Sequence, residues 1–107
     1  MDLHNKKCVP CEGGTKPFDT DEINKYLSIV KGWIVKDGIK IIKEFKFKDF
    51  KEALNFVNKV GEKAEQENHH PNIYLYGWNK VRITLTTHAI KGLSINDFIL
   101  ASKIDRI

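Results

Sequence analysis

Apolar positions in this chain recur with two different periods, and the switches between them mark its elements. After Asp19, the residues Ile23, Tyr26, Leu27 and Val30 share one helical face. Asp19 with Glu22 three residues on makes a capping box, Phe18 and Ile23 can staple the entry, and Gly32 ends the predicted helix. Trp33, Ile34 and Val35 are β-prone, and residues 36–38 read as a turn in which Gly38 supplies a positive φ. Residues 39–47 resume as a strand, with Ile41, Phe45 and Phe47 in alternating register. Ile42 breaks the alternation, which points to a bulge or to burial on both faces. A second capping box, Asp49 with Glu52, opens a longer helix whose stripe is Phe50, Ala53, Leu54, Val57, Val60 and Ala64. Residues 73–76 form a third strand and residues 77–80 a turn. In the fourth strand Val81, Ile83 and Leu85 alternate with Arg82, Thr84 and Thr86. A third helix opens at Ser94, with Asp97 three residues on, and runs through Phe98, Ile99 and Leu100.

The predicted order is α-β-β-α-β-β-α. Both hairpins are short, so their strands are antiparallel, and the apolar sheet face must be covered by the helices. The expected class is α+β: a four-stranded antiparallel sheet with helices packed on one face. The other face and the sheet edges stay open, which favours self-association. Residues 1–18, with two glycines, a proline near their end and no periodicity, read as an N-terminal arm, and residues 19–107 as a single domain.

Composition changes this picture little. With 107 residues, 41% hydrophobic and 30% charged, the chain fits one globular domain. No apolar run is long enough to span a bilayer, and the start, MDLHNKKCVPC, lacks the apolar stretch of a signal peptide, so the cytoplasm is the expected compartment and no membrane partner is expected. The net charge of +4 is spread thinly and beside acids, as in KEFKFKDFKE, which is a solvated surface and not a nucleic-acid footprint, although a weak pull on small anions remains. Cys8 and Cys11, in CVPC, admit four readings: a redox pair, part of a zinc site, a disulfide, or reduced thiols on an arm.

Chemistry gathers around one hairpin. Three of the four histidines, His69, His70 and His88, lie in the stretch ENHHPNIYLYGWNKVRITLTTH. Glu65 and His69 are four apart and would share a helical face, where the carboxylate can hold one ring nitrogen and fix the tautomer. Pro71 disfavours helical geometry at His70, so the helix should end near Asn68 or His69 and the two imidazoles should diverge. The hairpin returns the chain toward its start and brings His88 near the pair. If the strand persists that far, His88 shares parity with Thr84 and Thr86 and points away from the apolar face. Three histidines so placed allow a metal site, acid–base catalysis near neutral pH, or simple surface and capping roles at a helix end.

These residues resemble a known family. AEQENHHP, then WNKVRITLTTH, then GLSINDF, with Gly32-Trp33 and FKFKDF upstream, is similar to the pterin-4a-carbinolamine dehydratases over nearly all of the chain from Asp19 on. The resemblance implies a hydro-lyase that removes water from a 4a-hydroxy-tetrahydropterin to give the quinonoid dihydropterin, with the pterin as substrate and no metal or other cofactor. It implies that His69 and His88 are the acid/base pair, that His70 binds and orients substrate, and that Asn68, Thr86, Thr87 and His88 hold the pterin. Glu65 is expected to orient His69, Trp33 to wall the pocket and Asp97 to assist the site, while Arg82 reads as a solvated sheet residue. Asn68 stands where animal members commonly have an acid. The resemblance also implies a homodimer or homotetramer. The alternative function is a pterin-binding or protein-interaction module that keeps the fold without turnover.

Overall fold

A computed structural model of the chain describes residues 2–9 and 15–107. Its elements are α1 (Thr20–Leu27), β1 (Ile34–Lys36), β2 (Lys40–Lys46), α2 (Phe50–Glu67), β3 (Asn72–Tyr76), β4 (Lys80–Leu85) and α3 (Ile95–Ile104), with 3-10 turns at Leu3–Asn5 and His88–Ile90. The order α-β-β-α-β-β-α and the antiparallel four-stranded sheet are as the pattern predicts.

The strands lie in the order β1-β2-β4-β3, so the two hairpins meet through β2 and β4 in the centre. Central pairing runs without interruption from Ile41↔Leu85 to Lys46↔Lys80. Ile42 therefore sits in an unbroken ladder with no bulge, on the open face, between Ile34 of β1 and Thr84 of β4. The turn joining β1 to β2 has both central residues, Asp37 and Gly38, at positive φ (57° and 70°), which matches the right-handed twist of a tight hairpin.

On the covered face Ile41, Val81, Ile83 and Leu85 are wholly buried against Val60 of α2 and Phe98 and Leu100 of α3. α1 joins this core at its edge, where Tyr26 and Phe18 stack with ring centroids 5.2 Å apart and both face Phe98. The capping box at Asp19 and Glu22 forms as read, but α1 stops at Leu27, short of Gly32. Gly32 instead carries the positive φ (87°) of the link into β1. In α2 the buried row is Ala53, Phe56, Val60, Ala64 and Glu67, while Phe50 and Leu54 of the predicted stripe are 48% and 41% exposed.

The N-terminal segment packs on the domain. Leu3 is 1% exposed, in the main core, and the Lys103 ammonium of α3 donates to the His4 carbonyl at 3.0 Å. Cys8 lies among the described residues and Cys11 outside them, so the CVPC pair as a unit falls outside the described structure.

Candidate active site

The end of α2 sets the position of two histidines. Asn68 caps the helix in the left-handed conformation (φ 51°, ψ 41°), which its short polar side chain tolerates better than most. The amide of His69 donates back to the Ala64 carbonyl at 3.2 Å, closing the helix and turning the chain away. Pro71 then keeps His70 extended, and the two imidazoles part. His69 turns inward, where its Nε2 lies 2.7 Å from Asp97 Oδ1. His70 turns outward, where its Nε2 lies 2.5 Å from Glu65 Oε2 in an exposed pair. The expectation that Glu65 orients His69 is thus corrected: helix spacing would align residues 65 and 69, but the helix ends before His69 does, and the carboxylate meets the next histidine.

Asp97 holds the inner half of the site together. It is the third residue of the capping box that starts α3, accepting the Ser94 amide on Oδ2 at 3.0 Å. The same oxygen accepts the Thr87 hydroxyl at 2.8 Å, leaving Oδ1 for His69. Asp97 has no exposure to solvent, and among the described residues its carboxylate oxygens are taken up by these three partners. Helix capping and the hold on His69 are carried by opposite oxygens of one side chain.

His88 arrives by a different route from the one read in the pattern. β4 stops at Leu85, and Thr87 caps a 3-10 turn, His88–Ile90, so strand parity does not reach His88. The loop is closed at its base by Thr87 N–H to Gly92 O (2.9 Å) and Gly92 N–H to Thr87 O (3.4 Å). Gly92 is required there, because a Cβ would come within 2.7 Å of Pro17 Cβ. His88 is exposed at the front of this loop.

Together these segments enclose a cleft of about 310 Å³, at the small end of the range for ligand sites. His69, His70 and His88 all line it, with Asn68, Thr86 and Thr87 between them. Three further lining residues, Val9, Ala89 and Asn96, were not read as site residues. Asn96 donates its side-chain amide to the Val9 carbonyl (2.5 Å) and accepts the Val9 amide (3.0 Å), so the arm forms one wall. Nothing local in the sequence marks this contact, because the two residues are far apart in the chain. Trp33 does not line the cleft. It is 4% exposed in the core, with its indole N–H donating to Asp105 Oδ2 at 3.0 Å, and the expected wall role is corrected. Its place before β1 puts it at the sheet edge far in strand order from β3. Arg82 lies on the exposed sheet face paired with Glu44 at 2.6 Å, as a solvated residue.

The arm is anchored behind the cleft by Glu67, buried at the last turn of α2. Burial alone would raise its pKa, but the Cys8 amide (2.8 Å) and the Lys103 ammonium (3.4 Å) outweigh that and hold it below the ordinary carboxylate range. Among the described residues no three His, Cys, Asp or Glu side chains are grouped to hold a metal ion. No helix among them is long and apolar enough to cross a membrane.

Comparison with known proteins agrees with this architecture. Residues 16–107 match the family profile described as pterin 4 alpha carbinolamine dehydratase. A protein from Rubrobacter xylanophilus, provisionally named a pterin-4-alpha-carbinolamine dehydratase, is 45% identical over 99% of this chain and 98% of its own length. A protein from Alkaliphilus metalliredigens with the same provisional name is 50% identical over 97% of this chain and 94% of its own. Among solved structures, a transcriptional coactivator/pterin dehydratase from Brucella melitensis superposes with a TM-score of 0.79 at 34% identity, over 85% of this chain and 97% of that one. A pterin dehydratase-like protein identified as a RuBisCO assembly factor shares the fold at 23% identity and a TM-score of 0.61, over 71% of this chain and 88% of its own. With a profile match spanning the whole domain and relatives this similar end to end, the chain belongs to the pterin-4-alpha-carbinolamine dehydratase family.

Proposed function

We propose that this protein dehydrates 4a-hydroxy-tetrahydropterins to quinonoid dihydropterins by histidine acid/base catalysis. The observation that carries this reading is the convergence of His69, His70 and His88 on one cleft, with His69 Nε2 held by buried Asp97.

The reaction breaks the N5–H bond and the C4a–O bond, forms the C4a=N5 double bond and releases water. A proton leaves at one place and one arrives at another, with no net change in oxidation state, so two imidazoles suffice and no metal or redox cofactor is called for. With Nε2–H given to Asp97, neutral His69 carries its lone pair on Nδ1, which suits it to accept the N5 proton. The buried carboxylate then stabilises the imidazolium that forms. His88 is exposed, with water at hand to reprotonate it, and takes the role of acid toward the departing hydroxyl. His70, tethered by Glu65, binds and orients the ring, and Asn68, Thr86 and Thr87 supply polar groups along its edge.

The test is quinonoid dihydropterin formation from freshly made 4a-carbinolamine, with the uncatalysed dehydration subtracted. His69→Ala and His88→Ala should each lose about 100-fold or more in kcat. Variants as active as the parent would refute the assigned roles. A second reading, a non-catalytic module, draws on the assembly factor that shares the fold. Pterin binding by the unaltered chain with no acceleration would favour it.

A further inference from the structure

A second concavity, of about 290 Å³, lies beside the histidine cleft and shares Thr86 and His88 with it. Its remaining lining includes Lys40 at the start of β2, Lys91 at the end of the His88 loop, Asn72 and Thr84, and among the described residues no aspartate or glutamate. Neither lysine makes an ion pair among the described residues, whereas Lys43, Lys48 and Lys103 all do. Lys91 is also oddly placed for a lysine. It sits in the left-handed region (φ 55°, ψ 43°), where glycine or asparagine is favoured, and its amide closes the turn onto the His88 carbonyl at 3.2 Å. The backbone has no use for a long cationic side chain at this point, and a disfavoured conformation beside a cleft points to a use for the side chain.

We propose that this concavity is a subsite for an anionic group on the pterin's side chain, so that the substrate is a phosphorylated or carboxylated pterin in preference to a neutral one. The inference rests on the dehydratase reading for the placement of the ring. A bicycle lying between His69 and His88 has its ring substituent leaving over the cleft rim. The shared wall of Thr86 and His88 leads that substituent into the second concavity, where Lys40 and Lys91 supply charge and Asn72 and Thr84 supply neutral hydrogen-bonding groups.

Three fully oxidised, unreactive pterins separate the possibilities: one with a neutral hydroxyalkyl tail, one with a phosphate monoester tail and one with a glutamate-bearing tail. Calorimetry on the full chain should give at least one anionic ligand about tenfold tighter than the neutral one, with a preference that shrinks as salt is raised. In the double variant Lys40→Gln with Lys91→Gly the preference should fall to about twofold or less. Glycine fits the left-handed position, and thermal unfolding checks that the fold is kept. Which anionic arm binds distinguishes phosphate from carboxylate. Equal affinities, no binding by any of the three, or a preference that survives in the double variant would overturn the subsite. The matching 4a-carbinolamines, assayed for turnover, report on the dehydratase reading separately: no acceleration on any of them sinks that reading, while the binding series still decides this one.

Discussion

Asp97 shows how much one buried side chain decides here. Asparagine is nearly isosteric and can still accept the Ser94 amide, so the start of α3 should survive in Asp97→Asn. Its amide nitrogen, however, would face His69 Nε2 and force that nitrogen to accept a hydrogen bond where it now donates one. The lone pair would move off Nδ1. kcat should fall roughly 100-fold or more, while affinity for an unreactive pterin changes little and nitrogen NMR shows the tautomer switched. Equal losses in kcat and affinity would mean that Asp97 only builds the fold. At this scale the sequence was legible where contacts are local. The Ser94–Asp97 box follows from spacing alone, and the histidine cluster was visible in one stretch. The pairing of Glu65 with His70, the pairing of Asp97 with His69 and the clamp of Asn96 on Val9 were not, because each depends on where a helix ends or on which distant segment packs against it.

Among the elements, α2 carries the clearest lesson about pattern and burial. Its apolar residues span a wider arc than the core can cover, and the sheet takes the row through Ala53, Phe56, Val60 and Ala64. Phe56 packs its ring at 4.6 Å from Phe45 of β2 and 5.0 Å from Phe47 just past the end of that strand, two residues whose alternation the sequence did reveal. Phe56→Ala should therefore destabilise the fold by about 3–5 kcal/mol. Phe50→Ala and Leu54→Ala, on the half-exposed flank, should each fall well short of that, near the roughly 1 kcal/mol centre of measured substitutions. Urea denaturation compares the three, and similar losses would show that Phe50 and Leu54 are buried as deeply as Phe56. Periodicity identified the helix and its length. It could not choose among neighbouring apolar rows, since that choice belongs to the sheet opposite.

Across the whole molecule, the arm and the domain are joined by a carboxylate whose charge the fold protects. Glu67 holds its pKa below the ordinary value in the folded state, so its stabilisation is fully present above the usual glutamate range. That contribution is lost as pH falls through the depressed folded value. Acid should loosen the contact of residues 2–9 with the domain, made visible as faster proteolysis of the arm. Glu67→Gln should loosen it already at neutral pH and flatten the response below. An arm equally protected at pH 3 and pH 7 would disprove this link. Because Val9 walls the cleft, the same loosening should open one side of the site.

The pinned base of the His88 loop has a consequence of its own. Two reciprocal backbone bonds between Thr87 and Gly92 fasten both ends, so the residues inside can change identity while their endpoints stay put. The segment behaves as an exchangeable cassette: evolution, or an engineer, can rewrite the exposed positions 89 and 91 while Ile90 stays anchored in the core and the His88 backbone keeps its place.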